Sequence, residues 1–524
     1  MSRYRNKTFF LLLLLPYVVQ AEPAPRSDDV SLLSLAEALD QALNYNLGVT
    51  IARYEPAKQA DAVAIEASVY DVELFASTQY RDNRAATDSE TNCSQSEQAR
   101  VTTGLDKRFQ TGASVRLGTG ASRSQTDTNG ALDEDASGDL SLSLRQPLLR
   151  GAGSRINLAP LARAKVKEEQ SIEVLRAQIL DFITQVEISY WDLAFSQAAL
   201  TLVNSNLELA ESLLEENQER ERLGLVTQLE VMQARTEFLK QQENSILAER
   251  AVQDDQDRLM ALMGVVSLTE ATTPELRPVQ VLQASPRFSL PALSVVVAKA
   301  LAVDADTKVQ YKEIEVARLN QLLAKDLTQP QLDLTAGVDY LGSDEKLSQA
   351  YTDAYRGDDG YDWSVGLELR LPWGVREARA RYRRATRTLA QQELRLHEIR
   401  ETKARLARSA WRAVQSGTQR VEVTQAAIAL NEQSFEQERA RYGAGLSAYR
   451  QVLEAQRDLD KARRSHLQAL IDQRRAVVQL ARVDGSILER NGFTWAEADA
   501  LLAAPRPGQH PVVGETISKE QTHL

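Results

Sequence analysis

The stretch IEVLRAQILDFITQVEISYWDLAFSQAALTLVNSNLELAESLL, residues 172–214, decides the fold. Alternating steps of three and four from Ile172 reach Leu175, Ile179, Phe182, Val186, Ser189, Leu193, Ser196, Leu200, Val203, Leu207, Ala210 and Leu214. All but the two serines are apolar, and none is charged. That is a heptad seam held for about six heptads. It predicts one helix over 155–220, roughly 100 Å long at about 1.5 Å per residue. A compact globular domain has no use for such a length. Gly224 ends the helix, and a second of the same kind is predicted over 376–441, before Gly443 and Gly445.

The chain starts with Arg3, Arg5 and Lys7, an apolar run over 9–15, and then Val19-Gln20-Ala21. This pattern predicts a secretory signal peptide, 1–21, cut after Ala21. The only cysteine is Cys93. It lies far from the cut, so no lipid-attachment cysteine is expected there, and a lone cysteine makes no intramolecular disulfide. The formal charge is −11, and −14 once Arg3, Arg5 and Lys7 leave with the leader. That argues against nucleic acid as a partner. No later stretch approaches the roughly 18 apolar residues of a spanning helix. A chain of this kind enters a membrane with strands or not at all.

The first repeat is expected over 22–290. After a polar linker at 22–30 it holds short helices at 35–45 and 49–68, strands at 71–80 and 139–146, the long helix 155–220 and a helix at 227–263. The second repeat, 291–490, holds helices within 291–327, strands at 331–340 and 362–371, the long helix 376–441 and a helix at 446–483. A polar C-terminal tail covers 491–524. The strands show period-two alternation. Leu332, Leu334, Ala336, Val338 and Tyr340 alternate with polar or small residues, and Trp363, Val365, Leu367, Leu369 and Leu371 do the same before Pro372. This alternation puts Glu73, Asp333, Asp339, Glu368 and Arg370 on the face away from lipid, as candidates for a barrel lumen. A polar loop is expected at 341–360. Two weaker strands are possible at 101–109 and 113–119.

The halves match each other. Arg220, Gly224, Leu225, Val231 and Ala234 correspond to Arg441, Gly445, Leu446, Val452 and Ala455 at a constant offset. Leu142, Leu144, Arg145 and Pro147 correspond to Leu367, Leu369, Arg370 and Pro372. Four strands cannot close a barrel, and an open sheet cannot stand in lipid. Oligomerisation is therefore expected. Three copies would bring 12 strands, with the long helices forming a second tube. The fold class is mainly α with a transmembrane β-barrel, built on a duplicated strand–strand–long helical hairpin unit.

In this ordered set the chain resembles the TolC-like outer-membrane efflux protein family. The resemblance rests on the duplicated unit, the turns at Arg220–Leu225 and Arg441–Leu446, and the run LRQPLLRG at 144–151, and it covers about 31–490. It implies a homotrimer in the outer membrane of a Gram-negative bacterium, with a 12-stranded β-barrel in the lipid and an α-barrel in the periplasm. It further implies a passive exit duct of a tripartite efflux or type I secretion system. An inner-membrane pump or ABC transporter would deliver substrates through a periplasmic adaptor (membrane fusion) protein. The turns Arg220, Gly224, Leu225, Arg441, Gly445 and Leu446 would then form the periplasmic tip where the adaptor docks. Glu230, Gln233, Gln451 and Glu454 match the family's aperture positions. Residues 81–138 depart from the family by their length, and the extra candidate strands either lengthen an external loop or add to the sheet.

Two charged belts remain. Glu208, Glu211, Glu215, Glu216, Glu219 and Glu221 precede the first turn, and Arg376, Arg379, Arg381, Arg383, Arg384 and Arg387 follow the last strand. The arginines suit lipid phosphate or the junction of the two tubes; the bland alternative is a solvated helix. No catalytic site, metal site or cofactor is expected. The four histidines, His397, His466, His510 and His523, are scattered, and the Gly151–Gly153 segment lacks the third glycine of a phosphate loop. The rival readings are a periplasmic coiled-coil scaffold or adaptor without transport activity, and a surface adhesin on a barrel anchor.

Overall fold

The computed structural model describes residues 31–86, 93–128, 131–265, 276–282, 290–357, 360–371 and 373–493. The expected leader, the 22–30 linker, most of the link between repeats, Pro372 and the tail from 494 onward lie outside the described residues. In chain order the first repeat holds β1 (Ser31–Leu33), α1 (Leu35–Tyr45), α2 (Leu47–Ser68), β2 (Val72–Ala86), β3 (Cys93–Arg108), β4 (Ser114–Thr128) and β5 (Ala131–Pro147). It continues with α3 (Ser154–Asn157), α4 (Ala159–Arg222), α5 (Gln228–Met263) and β6 (Leu276–Pro278). The second holds α6 (Leu293–Val303), α7 (Ala305–Asp326), β7 (Gln331–Asp344), α8 (Leu347–Arg356), β8 (Tyr361–Arg370), α9 (Arg376–Gly443), α10 (Tyr449–Val483) and α11 (Ile487–Arg490). Among the described residues, no helix is long and apolar enough to cross a membrane.

The helical wall is one layer. Along its length α4 packs against α5 and α10, and α10 packs against α9. Nearer the sheet, α2 and α7 take the places of α5 and α10 beside the long helices. The short helices stack end to end. The Asn46 side chain caps α2 by accepting from Val49 N at 3.2 Å and donates to Leu262 O at 3.0 Å. Gly264 closes α5 at φ +73°, where a Cβ would stand 2.6 Å from Tyr45 O. Gly485 does the same against Val303 in the second repeat.

The main core gathers at this joint. Leu39, Ile183, Leu193, Leu259, Ile471 and Ile487 are buried there. The seam serines Ser189 and Ser196 are buried too, since small side chains let neighbouring helices approach. The Tyr190 hydroxyl donates to Leu33 O at 3.0 Å and contacts Gln280, tying down the parallel β1–β6 pair. Glu187 is fully buried, held by Arg490 at 2.9 Å and Asn491 at 3.0 Å.

Three expectations are corrected. The helix predicted from 155 is broken at Leu158; α4 starts at Ala159, with Pro160, which lacks an N–H, in its first turn. The polar loop expected at 341–360 contains four more residues of β7 and the helix α8. Leu347, Ala350, Tyr351 and Ala354 share one face of that helix, and Gly357 caps it at φ +70°.

The third correction concerns strand number. Four strands per chain were expected, giving 12 for three copies. Among the described residues the sheet has six, all antiparallel, in the order β2-β3-β4-β5-β7-β8. β3 and β4 are long, but their alternation is diluted by Thr, Ser and Gly, so only their lower parts read as strands. One register line joins Leu74, Leu105, Leu117, Leu142, Val338 and Trp363 on one face. The next joins Glu73, Asp106, Arg116, Ser143, Gly337 and Ser364 on the other. The face holding the large apolar side chains is solvent-exposed in the single chain: Leu74 is 80% and Leu367 67% exposed.

Gly264→Ala puts a Cβ into both a left-handed φ and the Tyr45 backbone. It is expected to destabilise the joint by about 2 kcal/mol or more, read as a lower Tm of the purified protein. An unchanged Tm would remove the α2–α5 stack as a close contact.

Candidate functional site

The two helical hairpins end in superimposable turns. Arg220 O accepts from Leu225 N at 2.9 Å, and Arg441 O accepts from Leu446 N at 2.8 Å. Gly224 and Gly445 both have φ +72°, the left-handed conformation that ends each helix. Leu225 and Leu446 project into solvent, 71% and 74% exposed, beside Leu223. Each turn is thus a rigid knuckle with an uncovered apolar tip.

Side chains lock the knuckles together. The Arg220 guanidinium lies over the Tyr442 ring at 4.6 Å and is held by Glu216 at 2.7 Å. The Tyr442 hydroxyl donates to Asn217 Oδ1 at 2.7 Å in a buried site. Arg441 pairs instead with Glu438 of its own helix at 2.8 Å. Asn217, Tyr442 and Tyr449 were not singled out in the sequence. Their aromatic and amide types only gain meaning once the first turn is laid beside the second.

Of the four aperture candidates, Glu230 and Gln451 occupy equivalent positions and do equivalent local work. Glu230 accepts from Thr227 N at 2.9 Å, and Gln451 accepts from Ala448 N at 3.2 Å. Both cap the start of their own helix. Glu454 is exposed and paired with Arg450 at 3.0 Å. Gln233 is half-buried next to Ala234. In a single chain these four do not meet as one cluster.

A second polar layer lies behind the turns. Glu237, only 3% exposed, binds Arg457 at 2.8 Å and Gln241 at 2.8 Å. Burial would raise its pKa, but Arg457, Gln241 and Lys240 outweigh that and hold it below the usual carboxylate range. Asp460, 2% exposed, has the opposite fate. Burial pushes its carboxyl up to about 6, reinforced by Glu237 and opposed by Arg464, Arg463 and Lys240.

At the other end, the five lumen candidates share one face of the sheet. Asp333 is 1% exposed, gripped by Arg145 at 2.5 Å and Gln331 at 2.8 Å. Glu368 and Arg370 pair at 2.7 Å, while Glu73 is exposed and Asp339 half-buried. Two of the five, Glu73 and Asp333, line a polar cavity of about 890 Å³ together with Asp71, Asp106, Arg108, Arg116, Arg150 and Asp326. The six arginines from Arg376 to Arg387 are all exposed, just past the fully exposed Trp373. The arrangement offers two polar surfaces at the ends of one long wall.

A family model described as outer membrane efflux protein matches residues 107–265 and 296–486. No curated protein sequence matches the chain significantly. Among solved structures, the CmeC outer membrane channel of Campylobacter jejuni is 16% identical with a TM-score of 0.66, covering 90% of this chain and 89% of its own. VceC, an outer membrane protein of Vibrio cholerae, is 16% identical with a TM-score of 0.64, covering 86% of this chain and 96% of its own. The open-state MtrE outer membrane channel of Neisseria gonorrhoeae is 16% identical with a TM-score of 0.60, covering 86% of this chain and 88% of its own.

Because its folded pKa is raised, the Asp460 charge costs stability above about pH 6, and the cost fades as pH falls through 6 toward 4. Wild type should therefore gain stability on mild acidification. Asp460→Asn should be more stable at pH 8 by roughly 2–3 kcal/mol and should lose that part of the pH dependence. Parallel melting curves of the two proteins from pH 8 to 5 would disprove it.

Proposed function

Because the chain belongs to the outer membrane efflux protein family, whose place is the outer membrane with a helical domain in the periplasm, we propose that it works as a homotrimeric exit duct. An inner-membrane pump, or a type I secretion ABC transporter, delivers cargo through a periplasmic adaptor, and this chain lets it pass without chemistry of its own.

One observation carries the closed ring, to which the family adds the number three: the chain has two unfinished edges, and they match at both ends. In the sheet the free edges are β2, from the first repeat, and β8, from the second. In the helical wall they are α2 with α5, again from the first repeat, and α9 from the second. The first-repeat edge exposes Ile51, Ile65, Met232, Leu239 and Ile246; the second-repeat edge exposes Leu394, Val423 and Leu430. Met232, Leu239 and Ile246 are seven residues apart, a seam still wanting a partner helix. A head-to-tail contact of β2 with β8 and of α5 with α9 repeats until it closes a ring. Closure covers both apolar helix edges and removes the open strand edges that lipid forbids. A periplasmic scaffold would have no use for a sheet with one apolar face.

On this reading the exposed leucines of the tip turns, with Arg220, Gly224, Arg441 and Gly445 setting their shape, are the adaptor's docking points. Glu230, Gln233, Gln451 and Glu454 ring the aperture, where Glu454 is exposed and paired with Arg450. Glu73, Asp333, Asp339, Glu368 and Arg370 line the barrel. Trp373 and the arginines after it meet the inner leaflet of the outer membrane.

Purified protein should have the mass of a trimer in detergent and give discrete, cation-preferring steps in planar bilayers. Protein that stays monomeric and never inserts would overturn the duct. Leu239→Glu combined with Leu430→Glu should break the trimer while leaving the helical circular dichroism of the chain in place. Glu454→Ala should reduce cation preference without changing the mass; unchanged selectivity would remove it from the aperture.

A further inference from the structure

We propose that the β3–β4 hairpin is a built-in widener of the outer-membrane exit, so that this duct admits hydrated solutes too bulky for a 12-stranded barrel. The inference rests on the trimeric duct proposed above. Three six-stranded sheets bring 18 strands. Barrel diameter grows nearly in proportion to strand number, so the wall-to-wall width rises from about 24 Å to about 36 Å at strand spacings of about 4.8 Å and tilts of about 40°. Two added strands preserve the up-and-down alternation that an antiparallel barrel needs.

The hairpin is part of the wall rather than a flap on it. Unbroken registers join β2 to β3, β3 to β4 and β4 to β5. Its turn at 109–113 docks at the helix end of the sheet, where Gly153 N donates to Thr111 O at 3.0 Å and Gly112 sits against Gly151 O. Across the polar face, Arg100 of β3 reaches Asp139 of β5 at 2.7 Å by crossing Gly120 of β4. A Cβ on Gly120 would stand 2.5 Å from that carboxylate.

The extra width is not refilled. At mid-height the polar face carries small residues, among them Thr102, Gly104, Gly118 and Gly120. Phe75 of β2 lies flat over Gly104, whose Cβ would be 2.7 Å from the ring, and is covered by Arg116 at 5.3 Å. The loop helix α8 does not cross the lumen either. It packs on Gly138 and Gly342, and Thr119 bonds Tyr351 at 3.3 Å. All three belong to the face that carries Leu142 and Val338, which is the lipid side.

The test uses the full chain with Cys93→Ser and single labels at adjacent positions. A bimane at Val101→Cys or Leu117→Cys should be quenched by doxyl-labelled lipid in the bilayer. The same probe at Thr102→Cys should be quenched by aqueous iodide. Iodide quenching at all three would show a hairpin outside the membrane and overturn the proposal. Polyethylene glycols added on the extracellular side of a planar bilayer then size the exit. Polymers of about 11 Å hydrodynamic radius should enter and lower the conductance, whereas a 12-stranded exit would stop at about 7 Å. A cutoff near 7 Å in the full chain overturns the proposal whether or not a shortened variant folds. Removal of 87–130, which joins β2 directly to β5, should bring a folded trimer down to that smaller cutoff. A protein that forms no channel at all defeats the exit duct itself, whereas a channel with a narrow cutoff defeats only the widening.

Discussion

An antiparallel sheet cannot keep a bare edge in hydrocarbon. Each unpaired N–H or C=O there costs several kcal/mol, because no water is present to replace the missing strand. The described sheet ends in β2 on one side and β8 on the other, and its large apolar side chains point outward from a single chain. The architecture follows from this. The described sheet and the helical layer that follows it both end in open edges drawn from the same two halves of the chain.

The helical layer needs to be stiff, and its stiffness is concentrated where separate helices are made to act as one. α2 stacks on α5 through Asn46 and Gly264, and α6 meets the end of α10 through Val303 and Gly485. The largest core surrounds these joints, with Tyr190 and Glu187 satisfied inside it. Toward the tip a smaller apolar core of Phe435, Tyr442, Tyr449, Val452 and Leu459 is joined by polar links: Arg220 on Tyr442, Asn217 with Tyr442, and Glu237 with Arg457. Such links are directional and can be exchanged, whereas a packed core cannot.

The candidate site was partly legible in the sequence. The duplicated Arg-x-x-x-Gly-Leu turns mark the ends of the two long hairpins without any structure, since the same residues recur at a constant offset after two helices of the same length. The local roles of the aperture candidates were not legible. Glu230 and Gln451 read as free polar side chains, yet each closes a cap on its own helix, a choice made by a local hydrogen bond that a family position does not reveal. Asp460 was not singled out in the sequence. It is buried only because α10 turns that face toward the first hairpin.

By itself the sequence determined the duplication, the long helices and the two-faced strands, because heptads, period-two alternation and glycine turns are local patterns repeated over many residues. Only the tertiary structure decided how many strands share the sheet. Val101, Leu105, Leu117 and Ala121 are too widely separated by Thr and Gly to announce complete strands. They become strands because β2 and β5 stand on either side and supply the hydrogen bonds. The same glycines that blur the pattern, Gly104, Gly118 and Gly120, make room for Phe75 and for the Arg100–Asp139 bridge. Strand number depends on pairing between segments distant in the chain, and that information is carried by the neighbours rather than by the segment itself.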